Sequence, residues 1–288
     1  MTGLTIGRLR VDGATLHYEV RGSGPLLLLI PGGAGDAASY DGIADDLAVD
    51  HTVASYDPRG MSRSPLDDPQ APQRVAQHAD DAFRLLELLS PDAPARVVGC
   101  SSGAIVALHL LTTHPERIER AVVHEPPVVE VLPDAAEHRA LLARVQDTFR
   151  REGLMPAVAE FAAGLRRPGA GEPVAAEAAI RLPPQAAARS ERTMANMPYF
   201  LGCIVPSFMA YVPDVDRLAA LSDRLVLAGG ADSRGELPYR PAAFLAERCG
   251  TELTHFPGGH TGLSTHPAEF AGLLRGLLHK DAERPEDR

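Results

Sequence analysis

The sequence predicts an α/β fold in which helices flank a mostly parallel central sheet. Short apolar runs that end in Gly or Pro turns alternate with helical patterns along most of the 288 residues, as expected for strands buried on both faces of a parallel sheet. One segment of about ninety residues, 128–216, breaks this alternation. A connection of that length between strands predicts an inserted unit.

The N-terminal stretch predicts an antiparallel hairpin. In TIGRLRVDGATLHYEVRGSG, apolar and polar residues alternate on either side of Asp12 and Gly13, and an Asp-Gly pair between alternating runs favours a tight turn. Six later runs predict the remaining strands: LLLLIPGG, HTVASYDPRG, ARVVGCS, RAVVHEPP, RLVLAGGAD and ELTHFPGGH. The sheet is therefore expected to be parallel apart from its first strands.

Four intervals have the apolar spacing of a helix that lies on a sheet. They are VAQHADDAFRLLELLS, the run after Ser101, RPAAFLAERCG and HPAEFAGLLRGLLHK. In the last interval, Pro267 and Glu269 stand in the first turn, where both residue types favour the start of a helix.

The segment 128–216 predicts a helical cap, inserted into a core of residues 1–127 and 217–288. Within it, RTMANMPYFLGCIVPSFMAYVP concentrates Met, Phe and Tyr in a chain with only 5% aromatic residues. Such a cluster favours either ordinary packing inside the cap or the wall of an apolar pocket. The pocket interpretation predicts six substrate-binding residues: Met194, Met197, Tyr199, Phe200, Phe208 and Met209.

Composition argues against several classes of partner. The formal net charge is −10, and the Lys and Arg residues are scattered, which opposes nucleic-acid binding. The run PLLLLIPGG is too short to span a membrane, and MTGLTIGRLR lacks the apolar stretch of a signal peptide. Cys100, Cys203 and Cys249 form no CxxC pair, so neither a disulfide framework nor a zinc site is expected. We expect a cytoplasmic protein without metal or cofactor, and composition predicts no oligomeric state.

The stretch VVGCSSGAIVAL, residues 97–108, holds three candidate nucleophiles. Its GCSSG fits G-x-S-x-G, the nucleophile elbow, in which a serine occupies a strained turn between a strand and a helix. The pattern makes Ser101 the nucleophile. Ser102 begins the helix and offers its backbone N–H, rather than its hydroxyl, to a developing oxyanion. Cys100 precedes the turn and is expected to face the packed interior.

A serine hydroxyl needs a base, and a histidine supplies the best candidate. His260 follows the last predicted strand in HFPGGHTG, and it comes after Ser101 in the chain, as this type of site requires. A second oxyanion donor is expected from the glycine-rich loop of LLIPGGAGD, where we predict the N–H of Gly33. This loop also has a simpler interpretation as a flexible turn.

The carboxylate that orients His260 has two candidates. Asp232 ends LVLAGGAD, in a loop at the carboxyl end of a strand, which is the commoner place for the acid. Glu125 ends AVVHE at the end of its own strand, where the following Pro126 favours an extended backbone. Either carboxylate could stabilise an imidazolium on His260, so the residues alone leave both open.

The motifs YDPRGMSRS, GCSSGA, VHEPP and PGGH, in this order, resemble the α/β-hydrolases, and in particular the zearalenone lactonase group. The resemblance covers roughly residues 26–126 and 224–275. It implies an α/β-hydrolase fold and assigns the acid to Glu125, because that group has a glutamate just after the strand that follows the elbow helix. The group lacks an aspartate matching Asp232.

Two departures from the family concern the cap and a loop beside the elbow. The lactonases use a cap tryptophan against their macrocycle, and this chain has no Trp, so the resemblance does not carry over that substrate. The segment DPRGMSRS resembles D-x-R-G-x-G-x-S, with Ser62 where the family has glycine. The resemblance implies a structural role for Asp57 and Arg59.

These residues together predict a cofactor-independent serine hydrolase that cleaves a small apolar ester or lactone through an acyl-enzyme. Two other hypotheses remain open on the sequence. The same residues could hydrolyse a carbon–carbon bond or act as a perhydrolase, or the chain could be a non-catalytic ligand-binding member of the fold.

Overall fold

The computed structural model of the chain describes residues 3–167 and 184–279, and one sheet lies at its centre. The strands are β1 (Thr5–Val11), β2 (Ala14–Gly22), β3 (Leu26–Ile30), β4 (Thr52–Tyr56), β5 (Ala95–Cys100), β6 (Ile118–His124), β7 (Leu225–Gly230) and β8 (Thr254–Phe256). Their order is β1-β2-β4-β3-β5-β6-β7-β8. β2 pairs antiparallel with β1 and β4, and all other pairs are parallel. The predicted fold class is confirmed.

Helices cover both faces of this sheet. They are α1 (Asp41–Leu47), α2 (Val75–Leu89), α3 (Ser102–Thr113), α4 (Ala135–Glu152), α5 (Leu154–Leu165), α6 (Pro184–Tyr199), α7 (Val205–Met209), α8 (Val215–Ala220), α9 (Tyr239–Cys249), α10 (Gly262–Thr265) and α11 (Pro267–His279). A π-helical turn, Phe200–Ile204, joins α6 to α7. The buried side chains of α1 and α11 pack on one face, and those of α2, α3 and α9 pack on the other.

The position of β3 in the sheet explains why apolar and polar residues do not alternate in its sequence. Leu26, Leu28 and Ile30 belong to one buried cluster, whereas Leu27 and Leu29 belong to the cluster on the opposite face. Because successive side chains of a strand point to opposite faces, a run of five apolar residues is the pattern of a strand covered on both sides. Full burial of each leucine side chain contributes about 2 kcal/mol.

The first two strands form the predicted hairpin. Val11 pairs with Ala14, so Asp12 and Gly13 form a two-residue loop, and Gly13 has a φ of 72°. This left-handed backbone is readily available to glycine. The hairpin places β2 beside β4 and leaves the parallel strands at the centre, where their carboxyl ends meet at one edge.

The connection between β6 and β7 is helical where the structure describes it. It carries α4 to α8, and residues of α5 and α7 lie across a cavity from Ser101. The division into a core and a cap stays a prediction, although these helices lie where a cap over the strand ends would lie. Across residues 3–167 and 184–279, no helix combines the length and apolar character needed to cross a membrane.

Candidate active site

Ser101 sits in a sharp turn between β5 and α3. Its backbone has φ 54° and ψ −123°, a conformation that costs energy in a residue with a Cβ. The turn also needs glycine on both sides. A Cβ on Gly99 would lie 2.4 Å from the carbonyl oxygen of Gly103, and a Cβ on Gly103 would lie 2.3 Å from that of Ile30. The predicted elbow geometry is therefore present around Ser101.

His260 lies between Ser101 and Glu125. Its Nε2 is 3.2 Å from the Oγ of Ser101, and its Nδ1 is 2.6 Å from Oε2 of Glu125. The histidine follows β8 in a tight loop, so three strand ends bring the three side chains together. The structure thus joins the predicted nucleophile, base and one of the two candidate acids in one chain of hydrogen bonds.

Glu125 is fully buried, at 0% exposure, and its carboxylate is well supported. Besides the His260 ring, the carboxylate accepts from the N–H of Gly230 at 2.8 Å and from the hydroxyl of Ser233. Burial raises the pKa of Glu125, but the hydrogen bond and positive charge of His260, aided by Ser233, outweigh it and leave the pKa below its ordinary value. The carboxylate is therefore held ionised against the imidazole.

The backbone at Glu125 differs from the extended conformation that Pro126 predicts. Its φ is 49°, in the left-handed region that residues with a Cβ seldom adopt. The N–H of Glu125 still donates to the carbonyl of Ala228 at 3.0 Å, which continues the pairing of β6 with β7. A left-handed residue at this point turns the chain out of the sheet, and the buried hydrogen bonds of the carboxylate compensate for its cost.

Asp232, the alternative acid, does not reach the histidine. The residue is exposed, its backbone N–H donates to the carbonyl of Gly258 at 2.9 Å, and no hydrogen bond joins its carboxylate to His260 within the described residues. The prediction of Asp232 as acid is wrong for this structure. Its neighbour Ser233, which the sequence reasoning missed, contacts Glu125 instead, so the loop after β7 supports the acid without supplying it.

The two predicted oxyanion donors are linked to each other. The N–H of Gly33 donates to the hydroxyl of Ser102 at 2.9 Å, and Gly33 has a φ of 61°. A Cβ on Gly32 would lie 2.1 Å from the carbonyl oxygen of Cys100, so only glycine lets this loop approach the elbow. The prediction gave the Ser102 hydroxyl no part, whereas the structure makes it the acceptor for the Gly33 amide.

Cys100 is less enclosed than the sequence predicts. It is half-buried and lines a cavity beside Ser101. Burial raises the pKa of its thiol to about 11, and the charge of Glu125 adds to this effect. The thiol is therefore protonated near neutral pH and a poor nucleophile.

An apolar cavity of about 140 Å³ opens at Ser101 and His260. Its apolar wall comes from the elbow helix, the loop after β6, α5, the π-helical turn, α7 and the start of α9. The wall residues are Ile105, Pro127, Phe161, Leu165, Phe200, Ile204, Val205, Phe208, Met209 and Pro238. Phe200, Phe208 and Met209 were predicted to bind substrate, and they lie in this wall.

Met194, Met197 and Tyr199 were predicted to line the pocket, and they do not. Met194 is 46% exposed, Met197 is half-buried against the core, and the ring of Tyr199 covers Gly60. All three belong to α6, whose inward side makes polar contacts with loops of the core through Asn196. An apolar composition does not reveal which stretch of a segment faces a cavity.

A second cavity, of about 240 Å³, also borders Ser101 and His260. Ser101, His260 and Gly33 line both cavities. The rest of the second cavity is more polar, with Ser39, Tyr40, Cys100, Thr261, Leu263 and Ser264 in its wall. A bound molecule could thus extend from Ser101 in two directions.

Asp57 and Arg59 are buried supports beside the site. Asp57 accepts from the N–H of Ala37 at 3.0 Å and from Nε of Arg63 at 2.7 Å, and Arg59 pairs with Asp81. These contacts match the structural role that the resemblance implies. In the part of the chain that the structure describes, no three or more His, Cys, Asp or Glu residues are grouped so as to hold a metal ion.

Comparison with known proteins finds relatives and solved structures with the same fold. A model of the alpha/beta hydrolase fold family matches residues 25–162. The uncharacterized hydrolase YraK of Bacillus subtilis is 35% identical over 280 residues, which cover 96% of each chain. A zearalenone hydrolase of Bionectria ochroleuca is 34% identical over 122 residues, 40% of this chain and 45% of that protein. An esterase structure from Thermogutta terrifontis has a TM-score of 0.74 at 20% identity, covering 95% of this chain and 98% of that one, a likeness in fold alone.

Proposed function

Because this chain belongs to the α/β-hydrolase fold family, we propose that it is a serine hydrolase that cleaves a carboxylic ester or lactone through an acyl-enzyme. The observation that carries the proposal is the hydrogen-bonded chain from Ser101 through His260 to the buried Glu125. The name of YraK as a hydrolase, over nearly the whole chain, supports the reaction class. The partial match to a zearalenone hydrolase also supports hydrolysis, and the resemblance of the motifs to the lactonase group supports a lactone or ester as the bond that is cleaved.

In the first step, Ser101 Oγ attacks the carbonyl carbon of the substrate while Nε2 of His260 takes the hydroxyl proton. Glu125 accepts the Nδ1–H of the same ring, which fixes the tautomer with a free Nε2 and stabilises the imidazolium. The carbonyl π electrons move to the oxygen and form a tetrahedral oxyanion.

The oxyanion lies near the start of α3 in this mechanism. Ser102 is the first residue of that helix, so its N–H points outward with the positive end of the helix dipole. Gly33 also lines the cavity, and its N–H, which donates to the Ser102 hydroxyl in this structure, shifts to the oxyanion as the second donor. Collapse of the oxyanion breaks the bond to the alcohol oxygen, which takes the proton from His260.

Deacylation repeats these steps with water as the nucleophile. His260 takes a proton from water, the hydroxide oxygen attacks the acyl carbon, and Ser101 leaves with the proton returned from the ring. The second, more polar cavity borders both side chains and gives water a route to the acyl-enzyme.

The size of the apolar cavity limits the substrate. A dry apolar cavity of about 150 Å³ accommodates a molecule such as benzene, and the cavity here is about 140 Å³. We therefore propose an ester or lactone with one apolar group no larger than a phenyl ring or a short alkyl chain. The remainder of the substrate lies in the second cavity.

The test is hydrolysis of p-nitrophenyl butyrate and labelling by a fluorophosphonate, each with wild type and with Ser101→Ala. Wild type is expected to show turnover and labelling, and the variant neither. Ser190→Ala, which changes an exposed serine on α6, serves as the matched control and should keep both. Undiminished turnover by Ser101→Ala would overturn the proposal, and a wild type that shows neither turnover nor labelling would favour the binding hypothesis.

A further inference from the structure

Four polar side chains connect α6 to two loops of the core beside the elbow. Asp36, Ser62, Arg192 and Asn196 make up this group, here named the cap tie. Arg192 Nε donates to Oδ2 of Asp36, and the Oγ of Ser62 donates to the same oxygen at 3.1 Å. Asn196 Nδ2 donates to the hydroxyl of Ser62 at 2.9 Å. The tie thus joins segments more than a hundred residues apart in the chain.

The cap tie is a polar network with two buried members, whereas Arg192 is half-buried and Ser62 is exposed. Asp36 is 1% exposed and Asn196 is 6% exposed. Asp36 also accepts from the N–H of Ala38 at 3.1 Å, so its carboxylate has partners on both the core and α6. Loss of one partner from such a network leaves a buried polar group unsatisfied, which strongly disfavours the arrangement. The cap tie therefore holds α6 and the loops in one relative position.

One of the two loops that the cap tie holds carries Gly33. Asn196 Nδ2 also donates to the carbonyl of Ala34 at 3.0 Å, one residue after Gly33, and Asp36 lies two residues further. The core side of the same loop is fixed by Ser102, which accepts from Gly33. The loop is thus held from α6 on one side and from the elbow on the other.

Ser62 combines a strained backbone with hydrogen bonds to Asp36 and Asn196. Its φ is 46°, a conformation that glycine adopts with far less strain, and the family pattern has glycine here. Its N–H donates to Oδ1 of Asn196 at 2.8 Å, and its hydroxyl bonds to both Asp36 and Asn196. Glycine would keep the backbone bond and lose both hydroxyl bonds.

We propose that the cap tie positions the Gly33 amide for the oxyanion, which makes Asn196, Arg192 and Ser62 positioning residues for the reaction. The catalytic part of this inference rests on the proposed hydrolase function. A shift of the loop by a fraction of an ångström would misdirect the N–H while leaving the walls of the apolar cavity in place. The cap tie is therefore expected to affect kcat more than KM.

Two variants test the proposal, Asn196→Ala and Ser62→Gly. The first readout is hydrogen–deuterium exchange of the peptide covering residues 31–40, which needs no substrate. The second is kcat and KM on p-nitrophenyl butyrate, together with the melting temperature. Gln146→Ala is the matched control, because Gln146 Nε2 donates to the carbonyl of Leu201 at 2.6 Å, a bond between two segments outside the cap tie.

Both variants are expected to speed exchange in 31–40 and to lower kcat about tenfold, with KM within about threefold of wild type. Ser62→Gly should do so with a melting temperature at or above that of wild type. The strain at φ 46° is relieved, and the buried Asp36 and Asn196 each keep another hydrogen-bond partner. A purely structural role predicts that kcat falls only in variants that melt earlier. The control should change neither exchange in 31–40 nor kcat.

Unchanged exchange in both variants would overturn the proposal, and so would faster exchange with unchanged kcat. Failure of the proposed function has a different signature, since wild type itself would then neither turn over the ester nor react with a fluorophosphonate. In that case the exchange measurement still decides whether the cap tie holds the loop.

Discussion

The backbone amide of Gly33 donates a hydrogen bond to the side-chain hydroxyl of Ser102 over 2.9 Å. Gly33 lies in the loop after β3, and Ser102 begins α3 after the neighbouring strand β5. Both residues line the apolar cavity at Ser101. The hydroxyl accepts this bond with its oxygen, so its own proton stays available to a second partner. The bond keeps the two proposed oxyanion donors at a fixed separation before any substrate binds.

Ser102→Ala is therefore expected to lower kcat about tenfold, with KM within about twofold, because the backbone N–H remains but the Gly33 loop loses its partner. Steady-state kinetics on p-nitrophenyl butyrate check this. Thr113→Ala, at the far end of the same helix, is the control and should match wild type. A rise in kcat would mean that the hydroxyl competes with the oxyanion for the amide.

Glu125→Gln and Asp232→Asn separate the two candidate acids. Glu125→Gln keeps the shape of the side chain but stabilises the imidazolium poorly, so kcat should fall on the order of 10³-fold or more. Asp232→Asn changes an exposed side chain, and kcat should stay within about twofold. Activities are compared at equal folded protein, measured by circular dichroism. Equal, mild losses would contradict the arrangement seen around His260.

Ser233→Ala tests the support of the acid. The Ser233 hydroxyl donates to Glu125 in the buried interior, and a hydrogen bond to a charged group contributes about 1.5 to 3 kcal/mol. Its loss should raise the pKa of Glu125 and lower kcat roughly tenfold. On the acid side of the pH–rate profile, the fall in kcat should therefore begin at a higher pH than in wild type. Ser222→Ala, away from the site, should leave the pH–rate profile unchanged.

Phe161→Ala is expected to change the choice of substrate. The ring of Phe161 lies in the wall of the apolar cavity and packs edge-on against Phe200, with the ring centroids 6.1 Å apart. Its removal enlarges the cavity, so the ratio of kcat/KM for octanoate over butyrate p-nitrophenyl esters should rise. Met194→Ala is the control, because that side chain is 46% exposed and lies outside the wall. An unchanged ratio would mean that the acyl chain of the substrate does not bind in the apolar cavity beside Phe161.

His124→Phe is expected to flatten the pH dependence of stability. Burial lowers the pKa of His124 from 6.5 to about 4, and neither ring nitrogen has a hydrogen-bond partner among the residues that the structure describes. Below about pH 6.5 the unfolded chain binds a proton at this residue, and the folded chain does so only near pH 4. The free energy of unfolding is therefore highest above pH 6.5. As the pH drops toward 4 it falls, and this residue accounts for roughly 3 kcal/mol of the fall.

Urea unfolding at pH 7 and pH 4.5 checks the effect of His124→Phe. The difference in unfolding free energy between the two pH values should shrink by roughly 2 kcal/mol relative to wild type. The new ring would lie beside Phe256 and Phe270, which already flank His124. His255→Gln changes an exposed histidine and should preserve the wild-type difference. An identical pH dependence in His124→Phe would contradict the assignment.

The fold could be predicted from sequence because its signals are local. The five apolar residues of β3 indicate a strand with two covered faces, and the Asp12-Gly13 pair by itself indicates the turn of the hairpin. The elbow around Ser101 is equally local, since the glycines two positions away are required by contacts within the motif itself. Each of these predictions depends on residues within a single short window.

Other parts of the site depend on contacts across the chain, and the sequence could not supply them. Glu125 and Asp232 both follow a strand, and only the left-handed turn at Glu125 and the Gly230 amide decide between them. Ser233 was missed because a serine in a loop has no pattern of its own. The prediction of pocket residues on α6 was wrong, because this helix contacts polar loops of the core through Asn196.

Three residues other than glycine have a positive φ in the described part of the chain, namely Ser62, Ser101 and Glu125. Each would relax if it became glycine, yet in our proposals these residues are the tie to the cap, the nucleophile and the acid. Directed evolution that selects only for heat resistance would thus be drawn to glycine at Ser62 and Ser101, whereas at Glu125 the buried hydrogen bonds of the carboxylate oppose it. Glycine at Ser101 would yield a sturdier, inactive protein. Stabilisation of this chain should keep these positions fixed and look for its gains elsewhere.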